Sequence, residues 1–382
     1  MKNLQDFTVR LIAGGNIATI VCMLLIGFSD RINPVSHPLL ANIGLFFPVF
    51  LAINIGFLFF WLIVRKRMAV IPVAGLILAF VPVRTYTPLN MPEEAPKGSL
   101  KVMSYNVFNF STWTSPDEPC PILDYVEAQR PDILCMQEFC SDGWKKDRIL
   151  ERLGKLYPNS RITDPKGGDP IAIFSRFPII RTDTIHYESR ANNSAAYHLL
   201  TPGGDTTIVV VNHFESTGLS KDDRRRFKAM LKGDIERKEA ESESRNIWRK
   251  LAEASAIRAP QADSVAAYVE RHEGKSIILT GDFNDSPISY VRHRLASVLT
   301  DCYVASANGP GISYHYNAFY VRIDNIMCSS HWEPYACRVD NGIKASDHYP
   351  IICSLERKKE LRGTEKPLNH SDLTSKRQSK HY

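Results

Sequence analysis

Between Asn106 and His348 the chain carries seven short islands rich in acids, amides and imidazoles. They are Ser-Tyr-Asn106, Cys-Met-Gln-Glu138, Phe-Ser-Arg176-Phe-Pro, Val-Asn-His213-Phe-Glu-Ser, Gly-Asp282-Phe-Asn284-Asp, Arg322-Ile-Asp324 and Ser-Asp347-His348. Attack of water on a phosphate ester needs a cation against the phosphoryl oxygens, a group that aligns or deprotonates water, and stabilisation of the leaving oxygen. Each need has a candidate. Glu138 closes the apolar run Asp132-Ile-Leu-Cys-Met-Gln-Glu, so a buried strand would deliver a carboxylate at its tip, a ligand type preferred by a hard ion such as Mg²⁺. Asn106 ends another run, and its amide could ligate the same ion or bond a phosphate oxygen. Asp282 and Asn284 stand two apart after Ser276-Ile-Ile-Leu-Thr; in extended backbone they would point to one side, an acid and an amide able to hold water or metal and touch the phosphate. His348 suits proton transfer near neutrality, with Asp324 as the acid that fixes its tautomer, and His213 offers a second imidazole for an acid and base pair. Alone, Asn106 reads as a turn residue, Glu138 as a surface acid and either histidine as structural. Only the set argues for catalysis.

Positioning these side chains falls to short β-rich runs expected at Leu100–Val107, Ile133–Gln137, Ile171–Phe174, Thr206–Asn212, Ser276–Thr280, Ile323–Cys328 and Ile351–Leu355. Helices are expected at Pro121–Gln129 and Ala262–Arg271, giving an α/β protein whose loaded residues gather at strand ends. Residues 221–255 differ: a basic stretch, then an acidic one, with Phe227, Met230, Leu231, Ile247, Trp248 and Leu251 at roughly helical spacing. One or two amphipathic helices are expected there, inserted before Asp282. They form either a solvated flap or a lid on the substrate side, with Arg224 and Arg225 offering cations to a phosphate.

Ahead of this domain, residues 11–28, 39–64 and 68–83 are apolar, the first two long enough for a hydrocarbon core that needs about 20 residues. Three spanning helices are expected over 1–86, the third marginal because of Pro72 and Pro82. A Pro-rich linker follows at 87–98, then the catalytic domain at 99–356 and a disordered basic tail at 357–382. Lys2, Arg10 and the run Arg65-Lys66-Arg67 should stay inside, which puts the catalytic domain outside the cytoplasm if the third segment crosses. The net charge of +6 is uneven: seven Lys/Arg face two acids in 1–86 and eight face three in the tail, leaving −4 on residues 87–356. That argues against a tight duplex binder. The eight cysteines show no CxxC spacing, so a zinc site is not expected and no disulfide pairing follows.

In order and spacing the islands resemble the endonuclease/exonuclease/phosphatase superfamily, and with the apolar N-terminus they resemble its membrane-anchored bacterial members. The resemblance covers about Ser99 to Leu355. It implies a four-layer sandwich of two mixed β-sheets flanked by helices, with Mg²⁺, or Mn²⁺, at one end. By matching motif it implies Glu138 as main metal ligand with Asn106 beside it and Asp347 adding to the site. It implies Asp282 and Asn284 as the pair orienting water and phosphate, and His348 with Asp324 as the pair that activates water or stabilises the phosphoryl group. His213 matches a position that is histidine in the deoxyribonuclease, sphingomyelinase and phosphatase branches. Asn325 departs from the aromatic that many relatives carry after the Arg-Ile-Asp acid, and no acid follows Asn106 closely, which weakens a two-metal site.

The expectation is therefore an inner-membrane, Mg²⁺-dependent hydrolase of phosphate esters, lipid or small-molecule substrates being favoured. The alternatives are an extracytoplasmic nuclease and an inactive membrane-bound binding module. The bilayer is the expected contact of the N-terminal helices, and no protein partner is indicated.

Overall fold

The computed structural model describes residues 2–140, 143–163, 168–202 and 205–358. Twelve strands occur among them: β1 (Leu100–Asn106), β2 (Ile133–Gln137), β3 (Asn159–Thr163), β4 (Ile171–Ser175), β5 (Ile179–Ile185), β6 (Ser194–Leu200), β7 (Thr206–His213), β8 (Ser276–Asp282), β9 (Thr300–Asp301), β10 (Asp324–Cys328), β11 (Trp332–Val339) and β12 (Ile351–Arg357). They form two six-stranded sheets, ordered β11-β12-β1-β2-β4-β3 and β5-β6-β7-β8-β10-β9. Each is mixed: β1 with β2 and β7 with β8 run parallel, the other neighbours antiparallel.

Alternation along the central strands explains the layers. Val102, Cys135, Val211, Ile278 and Ile326 face inward and form the core between the sheets. Their odd-even neighbours Met103, Leu134, Val210 and Leu279 face outward and are covered by helices, Pro121–Gln129 and Gly143–Gly154 on the first sheet, Arg237–Arg271 and Tyr290–Ala296 on the second. Strands buried on both faces read as the continuous apolar runs seen in the sequence.

Five strands did not stand out in the sequence. β5 is mostly exposed, β9 has two residues, β3 is only partly buried, β6 has no clean alternation, and β11 carries Pro334 and a register shift between Tyr335 and Arg338. The inserted region forms the helix Lys221–Lys232, then a helix running from Arg237 to Arg271 without a break at Pro260. The expected separate helix at 262–271 is the last part of that element, whose second half packs on β8 and its neighbours.

The N-terminal helices form a bundle. The segments Leu4–Arg31 and Pro38–Val64 are long and apolar enough to cross a membrane, and the third is a pair, Lys66–Leu78 and Phe80–Tyr86, bent by 69°. Inside the bundle Asn16 Nδ2 donates to Asn54 Oδ1 at 3.2 Å and Trp61 Nε1 donates to Asn16 Oδ1 at 3.1 Å, polar contacts of the kind that hold helices together in lipid. The Pro-rich stretch is docked on the catalytic unit: Asn90 Nδ2 donates to the Ala307 carbonyl at 2.5 Å and Pro88 O accepts from Gly309 N at 2.9 Å. Apart from Arg357 and Lys358, the basic tail lies outside the described residues.

Candidate active site

One rung of the second sheet explains half of the site. His213 on β7 pairs in register with Asp282 on β8, which pairs with Asp324 on β10. Register partners share a face, so all three project into the space between the sheets, one step beyond the apolar core residues Val211 and Ile326. The first sheet supplies Asn106 at the end of β1 and Glu138 just past β2, while His348 enters two residues ahead of Pro350 and β12. Ser104 and Gln137, hydrogen bonded to each other, mark where the inter-sheet core turns polar on approach to the site.

The contacts are close. Asn106 Nδ2 donates to Glu138 Oε1 at 2.9 Å and to Asp282 Oδ2 at 3.1 Å, joining the two sheets through one amide. His348 Nδ1 lies 2.8 Å from Asp324 Oδ2, and its Nε2 lies 3.7 Å from Asp282 Oδ2. His213 Nε2 lies 3.8 Å from Glu138 Oε1 and 3.9 Å from Asp282 Oδ2, with neither ring nitrogen hydrogen bonded within the described residues.

Asn284 reaches the site by a different route from the one its spacing suggested. The extended backbone stops at Asp282; Asn284 takes a left-handed φ of 51°, donates its backbone N–H to Asp282 Oδ1 at 2.7 Å and its amide to the Phe214 carbonyl at 2.9 Å. Glu138 is also left-handed at φ 49°. Such backbone costs on the order of 1–3 kcal/mol per residue and concentrates at functional sites.

Electrostatics separate the two histidines. Burial pushes the His213 imidazole down to about 3, helped by charged His348, so it is neutral. Burial also opposes a charge on His348, but Asp324 and Asp282 outweigh it and hold the ring up to about 10. Burial and the nearby Asp324 raise Asp282 to about 7 against the pull of His348. Glu138 is raised as well, mainly by burial, with the Asn106 hydrogen bond opposing.

Geometry and donor type bear on where a divalent ion fits. Asp282, Asp324 and His348 offer ligand atoms within 4.8 Å of one another. His348 Nδ1 already pairs with Asp324 Oδ2 at 2.8 Å, however, so these two side chains engage each other. Glu138 is the better seat: its side chain is one-fifth exposed, and among the described residues no Lys or Arg lies within ion-pairing distance of it or of Asp282. The residues fit a hard cation at the Glu138 carboxylate, with Asp282 and the amide of Asn106 adjacent. Asn106 turns its Nδ2 toward both acids, while its Oδ1 accepts from Phe108 N at 3.1 Å, so ligation through oxygen requires the amide to turn over.

A cavity of about 160 Å³ opens over this network and is lined by Glu138, Asp282, Asn284, Asp347 and His348. Arg224 lines it too, its guanidinium 5.5 Å from the Tyr314 ring centre and 5.9 Å from that of Tyr316. Arg225 does not: it is exposed and paired with Asp222, because one residue along a helix turns a side chain by about 100°. Contrary to the expected contact with substrate, Arg225 does not line the cavity. Tyr314, Leu45 and Arg258 are among the cavity residues that sequence alone did not single out. Tyr314 sits in an irregular loop, Leu45 comes from the N-terminal bundle, and Arg258, only 1% exposed, was hidden in the long helix, where it reaches the Glu215 carbonyl at 3.0 Å and Asp285 at 3.4 Å. A buried arginine in a helix otherwise facing a core was the available signal for the last.

Comparison with known proteins agrees with this architecture. The family model described as Endonuclease/Exonuclease/phosphatase family matches residues 103–348, and a model described as a domain of unknown function matches residues 9–86. No curated protein matches significantly. Among solved structures, the human nocturnin catalytic domain with bound sulfate is 16% identical, covering 69% of this chain and 97% of that one, with a TM-score of 0.50. The TDP2 of D. rerio complexed with a single-strand DNA product is 16% identical over 68% of this chain and 100% of that one, TM-score 0.49. A protein of the same family from Bacteroides thetaiotaomicron is 17% identical over 70% and 100%, TM-score 0.47. The chain belongs to the endonuclease/exonuclease/phosphatase family, whose members are hydrolases of phosphoester bonds and typically depend on a divalent metal.

Proposed function

We propose that this chain is a membrane-anchored, Mg²⁺-dependent hydrolase of phosphate esters, with Mn²⁺ able to substitute. One observation carries the reading: Asn106, Glu138, His213, Asp282, Asp324 and His348, drawn from six separate segments of both sheets, meet beneath a single cavity.

Glu138 would hold the metal, with Asn106 and Asp347 at its margins; when bound, the ion supplies positive charge against the phosphoryl oxygens. Asp282, buried and fixed through Oδ1 by Asn284 N, is placed to take a proton from water through its other oxygen. As the water oxygen bonds to phosphorus, the bond to the leaving alkoxide oxygen breaks; that oxygen takes up a proton from solvent water and Asp282 returns its proton to solvent. His348, between two carboxylates, keeps its own proton and serves as a donor to a phosphoryl oxygen, with Asp324 holding the ring in place. Neutral His213 can donate one further hydrogen bond. Arg224, partly buried, supplies a cation on the open side.

Residues 1–86 would be the anchor and 99–356 the catalytic domain. Asp6 and Arg65 meet at 3.5 Å at one end of the bundle, whereas residues 42, 85 and 86 contact the catalytic unit at the other. With the Arg65-Lys66-Arg67 loop inside by the charge rule, the active site faces away from the cytoplasm of an inner membrane.

The test is hydrolysis of p-nitrophenyl phosphate and bis(p-nitrophenyl) phosphate by the purified full chain. Activity should appear with Mg²⁺, vanish with chelator, return on adding the ion back, and fall about 10²- to 10³-fold in Glu138→Gln. Metal-independent turnover, or a fully active Glu138→Gln, would overturn the reading.

A further inference from the structure

The cavity over the active site is closed on one side by a piece of the membrane bundle. The first part of the second candidate span, Pro38 to Phe46, lies against the long helix Arg237–Arg271 and against Ile288. Ser255 Oγ donates to Asn42 Oδ1 at 2.9 Å, and Phe46 stacks on Trp248 with ring centres 5.6 Å apart. Gly44 approaches so closely that a Cβ there would sit 2.1 Å from the Ile288 carbonyl oxygen, so only glycine permits this fit. Held in this way, Asn42 and Leu45 become lining residues of the same cavity that holds Glu138, Asp282 and His348.

The outward side of that segment is apolar and uncovered. Leu39 is 54% exposed and Leu40 53%, where the second candidate span begins and close in sequence to the end of the first. A short helix with such side chains at a span terminus lies in the boundary between headgroups and acyl chains. Leu251 and Phe319 line the same cavity as Leu45, so apolar side chains share it with the carboxylates and imidazoles.

We infer that the substrate is a membrane amphiphile, a lipid whose phosphoester headgroup is drawn sideways from the adjoining leaflet, its ester at Glu138 and Asp282 and its first acyl-side carbons between Leu45 and Leu251. This rests on the hydrolase reading above and narrows its substrate class. The bundle is then part of the substrate site as well as an anchor.

The experiment uses the full chain in vesicles of equal parts phosphatidylethanolamine and phosphatidylglycerol carrying a trace of fluorescent phosphatidic acid. Lipid products are read by mass spectrometry, and p-nitrophenyl phosphate, bis(p-nitrophenyl) phosphate and single-stranded DNA are assayed beside them. The wild type should hydrolyse a vesicle lipid in preference to DNA. Leu45→Glu and the milder Leu251→Ala should each lower the ratio of lipid to nitrophenyl-ester kcat/KM by about tenfold or more, with the milder variant guarding against misfolding. An unchanged ratio in both variants overturns the inference. So does a wild type that cleaves nitrophenyl esters or DNA but no vesicle lipid, and that result leaves the hydrolase reading standing. A wild type inert on every substrate with Mg²⁺ and Mn²⁺ overturns both.

Discussion

In the proposed mechanism Asp324 acts without touching the phosphate. Its Oδ2 holds His348 Nδ1 at 2.8 Å, and its backbone N–H is itself anchored on Ser313 Oγ at 3.1 Å, so the acid is placed by the strand and the loop together. Asp324→Asn keeps the shape and removes the charge that keeps His348 protonated. It should lower kcat about 10²- to 10⁴-fold with little change in circular dichroism, measured by steady-state kinetics with Mg²⁺. The two neighbouring arginines separate in the same assay. Arg224→Ala should raise KM about tenfold, the size of a lost charge-assisted hydrogen bond, whereas exposed Arg225, paired with Asp222, should be replaceable by Ala within about twofold.

The helix Lys221–Lys232 begins with a capping box. Asp223 N–H donates to Ser220 Oγ at 3.1 Å, Ser220 N–H donates to Asp223 Oδ2 at 2.7 Å, and Lys250 Nζ reaches the same oxygen at 2.6 Å. Its Phe227 stacks on Phe319 at 4.4 Å, and its Arg224 leans over the cavity. The cap therefore ties a cavity wall in place. Burial works against the charge on Asp223, but Lys250 and Ser220 hold its carboxyl down to about 2. A depressed acid contributes its stability above the ordinary carboxylate range and loses it as pH falls toward 2, so protection of this helix should be constant from about pH 5 to 8. Asp223→Ala should cost about 1 kcal/mol of local stability and speed hydrogen exchange over 220–232 at neutral pH.

At the scale of the whole chain, the catalytic unit is fastened to the bundle at several points. Arg322, 2% exposed, donates to the Thr85 carbonyl at 2.5 Å and the Pro310 carbonyl at 2.6 Å, with its guanidinium 4.3 Å from the Tyr303 ring centre; His293 lies 3.2 Å from Asp30. Arg322 stands two residues before Asp324, so a clamp on the end of the third apolar segment is continuous with the strand that positions His348. In right-side-out membrane vesicles, added protease should cut the catalytic unit, while a single Lys66→Cys should resist a membrane-impermeant maleimide until the membrane is opened. Seven of the eight natural cysteines are buried and the eighth, Cys22, lies within a candidate span, which keeps the background low. Labelling of intact vesicles at residue 66 would reverse the orientation.

Strand after strand near the site was legible in the chain because strands buried on both faces leave continuous apolar runs: Ile133–Gln137 was expected at the residues it occupies, and Glu138, Asp282 and His348 stood at their ends. Local chemistry was equally plain, since acids, amides and imidazoles at the tips of apolar runs are few. What local spacing cannot carry is the partner across a distance of many residues. That Asn106 bonds both Glu138 and Asp282, that Asn284 turns left-handed and bonds Phe214, that Arg225 faces away, and that Leu45 borders the active site all arise from how two sheets and a helical bundle pack. Residue type and order determined the class of chemistry in this protein. Only the packing of both sheets and the bundle decided which side chains share a cavity, because burial, register and close approach are properties of segments brought together and leave no periodic mark on any one of them.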